Sequence, residues 1–528
     1  MLIRRYTFLL GILLTITWTG CDKGFEELNE NPLFPTDAQI GPLFNGIVES
    51  LKLGWDRQLF LHNEKLYDVT ELAVVTAETF GNVEGGAEDV WSNYYNALKN
   101  ARELERRFAN SGEDPDAANV VAAQLKILMA YKTFQITDLF GAIPYTEAGR
   151  AFDENPILRP IYDEHESIYK SLISDLFQAV ETINTAGDNT PAGSPYLRYG
   201  PFDTFFGDDL GRWVQFGNSL LLRHLVRAYD NAPDYAGPLL DSLITGGATF
   251  IAANGDIVMS PRDQGWTNQG VNWSFREHNK VRMGSTMWNY MRDADGEVID
   301  PRLEIFFEPN NAGDWVPFPQ VPSANTPQSG GNPYSNARDN SYDNKGDGNI
   351  YSSVNYYLIR DELDIPEIIM TSAEVKFLLC EAFLRGMGVP KDVFIADFNY
   401  QLGMLESMEF WQNVVTSSSI WINQPPILST SELFNVVNHP QFSFMMAETE
   451  EEQLELLYAQ RWIDAFRQPW EAFSLLRRTE STPREKGPNT FNRFKYPPSE
   501  SVFNTDNYNE QVSRMGGDEN EGKVWWMR

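Results

Sequence analysis

Residues 368–386 read IIMTSAEVKFLLCEAFLRG, and this stretch carries a start, a body and a stop for one helix. Thr371 and Glu374 have capping-box spacing, in which each side chain satisfies a backbone N–H that the first helical turn leaves open. Val375, Leu378, Leu379, Ala382 and Phe383 recur at three- and four-residue steps, the period of a helix that buries one stripe. Gly386 follows where the chain needs a left-handed residue to leave the helix.

The same pattern recurs on both sides of this stretch. Leu125, Leu128, Met129, Phe134, Ile136, Leu139 and Phe140 predict a helix that stops at Gly141 and Pro144. Asp163 and Glu166 again have capping-box spacing, ahead of a stripe of Ile168, Leu172, Leu176 and Val180. A third helix is expected from about Asp209 through Trp213, Phe216, Leu220 and His224, and a fourth over about Thr449 to Arg467. Helical patterning therefore runs from about Asp37 to Ala228 and resumes at Thr371, while the end of the chain from Glu480 reads as irregular.

Between these blocks, from about residue 250 to 355, helical periodicity disappears. Gly, Asn, Ser, Asp and Pro punctuate the segment, with Trp266, Trp273, Trp288, Trp315, Tyr334 and Tyr342 among them. An irregular stretch of this length inside a compact protein is usually functional or disordered. The fold class expected is mainly α, one large helical domain over 37–528 carrying a loop-rich insert.

The N-terminus reads as a targeting segment. Arg4 and Arg5 precede an apolar run from Thr7 to Trp18, and Thr19-Gly20 stand directly before Cys21. The run is shorter than the roughly 20 apolar residues a spanning helix needs. Residues 1–20 are thus expected to be a lipoprotein signal peptide, Cys21 the lipidated residue, and 21–36 a polar tether. The placement of Cys21 resembles the bacterial lipobox, with Trp18 where Leu is usual. The other cysteine, Cys380, sits in the apolar pattern above and is read as a small buried hydrophobe.

Composition removes several function classes. The formal net charge is -32, which repels phosphate backbones and argues against nucleic-acid binding. No GxSxG, HExxH, P-loop or dinucleotide motif appears. The five histidines show no paired zinc spacing, and no cofactor is expected. Asp339, Asp343 and Asp347 offer oxygen ligands to calcium, but Lys345 stands where an EF-hand would want a ligand.

The order of segments resembles the SusD/RagB nutrient-binding outer-membrane lipoproteins. The matching stretches are FEELNENP (25–32), DLFGAIPYTEA (138–148), YDEHESIYKSLISDL (162–176), GDDLGRWVQFGNSLLLRHLVR (207–227), the opening stretch 368–386, LYAQRWIDAFRQPWEAFSLLRRT (457–479), RFKYPPSESVFNTDNYNEQV (493–512) and VWW (524–526). Ala142 stands where the family usually has an acidic residue, and Gly217 where it usually has alanine.

The resemblance implies a tetratricopeptide-type helical scaffold on the extracellular face of the outer membrane, anchored by lipid. It further implies a partner, a SusC-like TonB-dependent transporter, over which the lipoprotein acts as a hinged lid. The ligand would be an oligosaccharide or a peptide, held by loops, with no catalysis. The rival readings are a surface glycoside hydrolase and a free-standing helical interaction scaffold.

A sugar offers an apolar face and a rim of hydroxyls, so it needs flat aromatics flanked by amides and carboxylates. Two groups of residues fit that chemistry. The first is Trp55 and Asp56 (with Arg57), Asn82 (after Phe80 and Gly81) and Trp91; the second is Trp266, Trp273, Trp315 and Tyr334. The arginines Arg223, Arg227, Arg477 and Arg478 are assigned to architecture instead, paired with carboxylates such as Glu374 and Glu381.

Overall fold

The structure is a computed structural model that describes residues 40–51, 57–76, 82–110, 115–186, 202–207, 209–259, 275, 280–328, 330–334, 348–359, 367–418, 421 and 423–528. The signal, lipidation and tether readings, including Cys21, lie outside the described residues. So do Trp55, Asp56, Trp266, Trp273 and the aspartates weighed for calcium.

Helices dominate. The α-helices of five or more residues are, in chain order, α1 (Ile40–Glu49), α2 (Val83–Asn110), α3 (Pro115–Phe140), α4 (His165–Ala186), α5 (Leu210–Tyr229), α6 (Pro233–Thr245), α7 (Ser285–Met291), α8 (Arg302–Phe306), α9 (Ser372–Arg385), α10 (Val393–Ser417), α11 (Thr430–Val437), α12 (Glu450–Asp464), α13 (Pro469–Thr479), α14 (Pro498–Phe503) and α15 (Thr505–Met515). Consecutive helices pack as neighbours, α3 on α4, α4 on α5, α5 on α6 and α9 on α10. The last two helices lie where the sequence reads as irregular. Each is short, and α14 buries no residue, so neither carries an apolar stripe long enough to read.

The local signals act much as expected, with one exchange of roles. Thr371 caps α9 by accepting from the Glu374 N–H, and Gly386 ends it at φ 72°. Asp209 caps α5 by accepting from Arg212 N–H. Asp163, by contrast, does not cap α4. Its carboxylate accepts from the N–H groups of Tyr145 and Thr146 at 2.9 and 3.0 Å, tying down the turn after α3.

Two apolar clusters form the core. One gathers α1 to α6 around Trp213, Leu220 and Phe134; the other gathers α8 to α12 around Trp411, Trp462 and Phe466. Helix α9 lies between them. Val375, Leu378 and Ala382 enter the first cluster, while Phe377, Cys380 and Leu384 enter the second. Its burial is therefore two-sided, which moves Leu379 and Phe383 from the expected stripe to half-buried flanks.

Short antiparallel strands lie in the insert and on either side of it. Strands β1 (Val74–Val75), β3 (Val281–Arg282), β4 (Phe307–Glu308) and β5 (Ser353–Val354) make one sheet in the order β1-β3-β5-β4. Strands β2 (Ile257–Met259) and β6 (Glu367–Met370) pair separately.

Buried ion pairs join the two clusters. Arg223 on α5 grips Glu374 on α9 with two bonds of 2.7 and 2.6 Å. Arg227 reaches both Asp138 and Glu471. Glu381 receives Arg478, Arg461, Arg385 and the Tyr458 hydroxyl. Burial alone would raise the Glu381 carboxyl, but Arg478, Arg461 and Arg385 overcome it and hold it well below the usual carboxylate range. Trp526, fully buried, donates its indole N–H to Asp138 at 2.6 Å, and Arg528 reaches Asp230. These arginines thus serve architecture, as their sequence context suggests.

Candidate functional site

Helix α7 is seven residues long and buries Thr286, Met287 and Met291. With that face turned inward, Ser285, Trp288 and Asn289 share the other side at three- and four-residue steps, and Arg292 follows at the C-cap in extended conformation. Its start needs a close approach. A Cβ on Gly284 would sit 2.2 Å from the Gln320 side-chain nitrogen, so a larger residue there would displace the end of the Gln320 side chain.

Trp315 meets Trp288 from the neighbouring loop. The Asn310 side-chain oxygen accepts from the N–H groups of Ala312 and Asp314 at 2.9 and 3.0 Å, which closes a tight turn. On the far side, Val316 N–H donates to the Ser352 hydroxyl and Ser352 N–H to the Val316 carbonyl. Trp315 is thus held between two anchored residues. The two indoles stack with centroids 6.1 Å apart and planes 18° from parallel. Both are half-buried, packed on the second core cluster by part of their surface and open on the rest.

Polar groups surround this platform. Glu485 accepts from the Ser285 hydroxyl at 2.6 Å and from the Asn289 amide at 3.1 Å. The Arg292 guanidinium lies 5.8 Å from the Trp288 ring centroid, within cation–π reach. Asn289, Asn311 and Asp314 are exposed beside it. The arrangement is a flat apolar surface with a rim of amides, a carboxylate and a guanidinium, the chemistry a sugar ring requires.

Of the singled-out residues that the structure describes, Trp315 alone lies in this platform. Trp91 is 4 % exposed, its ring against Tyr95, Phe140 and Tyr496 and its indole N–H on Glu500. Tyr334 is 1 % exposed and donates its hydroxyl to the Val354 carbonyl at 2.8 Å. Both pack the core and present no face to a ligand, a correction to their reading as binding residues. Asn82 is exposed and caps α2, accepting from the Gly85 N–H at 2.9 Å. Trp91 belongs to the first cluster, whereas Trp315 packs on the second, so these two are not brought together.

Sequence reasoning missed Trp288, Asn289, Arg292 and Glu485. Trp288 and Asn289 had a legible signal, their spacing opposite Thr286, Met287 and Met291. Glu485 had none, because its role depends on a loop almost 200 positions away.

Among the described residues no group of three or more His, Cys, Asp or Glu could hold a metal ion. No helix there is long and apolar enough to cross a membrane.

Solved structures share the whole architecture. A chitin-binding protein aligns with TM-score 0.68 at 23 % identity, covering 93 % of this chain and 100 % of that one. A chitin-binding SusD homolog from Flavobacterium johnsoniae aligns with TM-score 0.66 at 20 % identity, covering 92 % and 98 %. In sequence, SusD-like protein P2 of Formosa agariphila is 26 % identical over 189 residues, which is 32 % of this chain and 36 % of that relative's length. Residues 41–497 match the model of the SusD-like family described as starch-binding and associating with the outer membrane, and the chain belongs to that family.

Proposed function

We propose that the protein is a cell-surface lipoprotein that captures a glycan on the Trp288–Trp315 platform and hands it to a SusC-like TonB-dependent importer, over which it closes as a lid. It binds without catalysing. Anchoring is through lipid on Cys21, at the extracellular face of the outer membrane, where two or more acyl chains give stable attachment.

The observation that carries this reading is the half-exposed, near-parallel indole pair with its polar rim, in a chain of a starch-binding family. Two proteins of the same fold are described as chitin-binding, which makes β-linked hexosamine oligomers the first probe and starch oligomers the second. A stacked aromatic contact contributes on the order of 1 kcal/mol beyond its buried area. Loss of both rings should therefore weaken binding at least tenfold.

The test is calorimetric titration of chitohexaose and maltohexaose into the wild type and into Trp288→Ala/Trp315→Ala. Binding lost in the double variant, with the melting temperature little changed, supports the reading. Unchanged affinity sinks it. Oligosaccharide recovered intact after long incubation supports a binder, and shortened products would make the protein an enzyme. Co-purification of a stoichiometric TonB-dependent barrel from native outer membranes tests the lid.

A further inference from the structure

The loop over 480–489 packs little. Thr482 is its one buried residue, and Glu485, Gly487 and Pro488 are exposed. It is nevertheless fastened along its length. Fully buried Glu71 accepts from the backbone N–H groups of Glu485 and Lys486 at 2.8 and 2.9 Å. Arg484 donates to the Val69 carbonyl at 2.6 Å, and the Lys486 ammonium lies 2.6 Å from the Asp68 carboxylate. Three non-glycine residues among those described have positive φ, and two of them serve this loop: Glu480 opens it at φ 52° and Glu71 holds it at φ 58°. Such strain persists only where the surrounding structure imposes it, and it gathers at functional sites.

What the loop delivers is the Glu485 carboxylate. One oxygen accepts from the Ser285 hydroxyl at 2.6 Å and the other from the Asn289 amide at 3.1 Å, which sets the group along the α7 face that carries Trp288. Both donors are themselves pinned. Ser285 Oγ accepts from the Gln320 N–H at 3.0 Å, on the segment that follows Trp315. The Asn289 side-chain oxygen accepts from Arg292 at 3.4 Å. A carboxylate oxygen has two lone pairs, so each keeps acceptor capacity after these bonds.

An acceptor fixed through both its backbone and its side chain, beside a stacking surface, selects ligands by what they donate. We infer that Glu485 is a specificity-determining residue of the Trp288–Trp315 platform, accepting hydrogen bonds from the edge hydroxyls of a stacked sugar, and that Glu71 is its positioning residue. Resting on the glycan reading of the platform, this role narrows the ligand to sugars whose edge hydroxyls are free. An O-methylated sugar keeps its apolar face for the indoles but has nothing to donate, and it sets an ether oxygen against the carboxylate. Sites built to hydrogen-bond a hydroxyl discriminate strongly against analogues that lack it.

The test is calorimetry with maltohexaose and chitohexaose, each beside its O-methylated form. The wild type should bind a free hexasaccharide at least about tenfold more tightly than the methylated one. In Glu485→Ala that ratio should fall about fivefold or more, and Glu71→Gln should lower it as much although Glu485 is still present. Gly217→Ala, which crowds Val180 in the first cluster, should lower the melting temperature yet keep the ratio within about twofold, because lost stability alone does not move a ratio of two affinities. A wild-type ratio near one, or an unchanged ratio in Glu485→Ala, overturns the role of Glu485 while the indole platform stands. A ratio lost in Glu485→Ala but kept in Glu71→Gln overturns the role of Glu71. Failure of both free hexasaccharides to bind the wild type defeats the glycan reading and these roles with it, a result distinct from binding without discrimination.

Discussion

Replacing Glu71 should unfasten the loop that carries Glu485. Glu71 is fully buried and sits at φ 58°, a left-handed conformation uncommon outside glycine. Its carboxylate accepts from the Thr286 hydroxyl and from the backbone N–H groups of Glu485 and Lys486, the latter two at 2.8 and 2.9 Å. The Thr286 hydroxyl is buried, so losing a charged acceptor there costs about 2 kcal/mol, and the two partly solvated amides cost roughly 1 kcal/mol each. Glu71→Ala should therefore destabilise by about 4 kcal/mol while keeping the backbone strain. Glu71→Gly loses the same bonds but relieves a left-handed penalty of about 1 kcal/mol. The glycine variant should accordingly be more stable than the alanine variant, the reverse of the usual order within ordered elements. Urea unfolding measures both stabilities, and hydrogen exchange at the amides of 485 and 486 reports the loop directly. Wild-type exchange rates at those amides in Glu71→Ala, or alanine equalling glycine, would refute the argument.

Three further outcomes are expected. Burial, then Arg477 and Arg227, holds the His165 imidazole down at about 3, beside Asp138, so the folded protein keeps it neutral while the unfolded chain protonates near 6.5. Its contribution is complete above pH 6.5 and is lost as pH falls toward 3; between pH 7 and 5 the wild type should lose about 2 kcal/mol more than His165→Gln, and parallel unfolding curves would contradict this. A Cβ on Gly217 would lie 2.6 Å from a Val180 methyl and 3.2 Å from Ile127, so Gly217→Ala should lower the melting temperature by overpacking worth about 1–2 kcal/mol, with Val180→Ala in the same chain restoring most of it. Cys21→Ala should release the protein from carbonate-washed membranes, and retention there would remove the lipid anchor from the account.

Much of the helical frame was legible because its signals are local. Thr371, Gly386, Asp209 and Gly141 are each read within a few residues and each does in three dimensions what its place predicts, whereas the Glu374 carboxylate leaves the expected capping box half-made and pairs with Arg223 instead. Asp163 shows where local reading fails. Its capping-box spacing is real, but a turn arriving from residues 145–146 claims the carboxylate first. The candidate site was less legible for a related reason. Composition cannot separate an aromatic that packs a core from one that faces a ligand, so Trp91 and Trp315 read alike until tertiary contacts bury one and half-expose the other. Gly217 was noticed as a departure from the family, but its cause, the close passage of α4 across α5, lies in packing.

The bond from Trp526 to Asp138 joins positions 388 apart in the chain. Trp526 also lies under the guanidinium groups of Arg227 and Arg477, at 5.8 and 4.8 Å from its ring. A ribosome must therefore deliver residue 526 before the centre of the first helical cluster can close around its charges. Contacts this distant are made late and leave the nascent chain open while it is being made. Under the proposed surface location that delay is useful, because a chain that has not yet locked can still be threaded through a secretion pore.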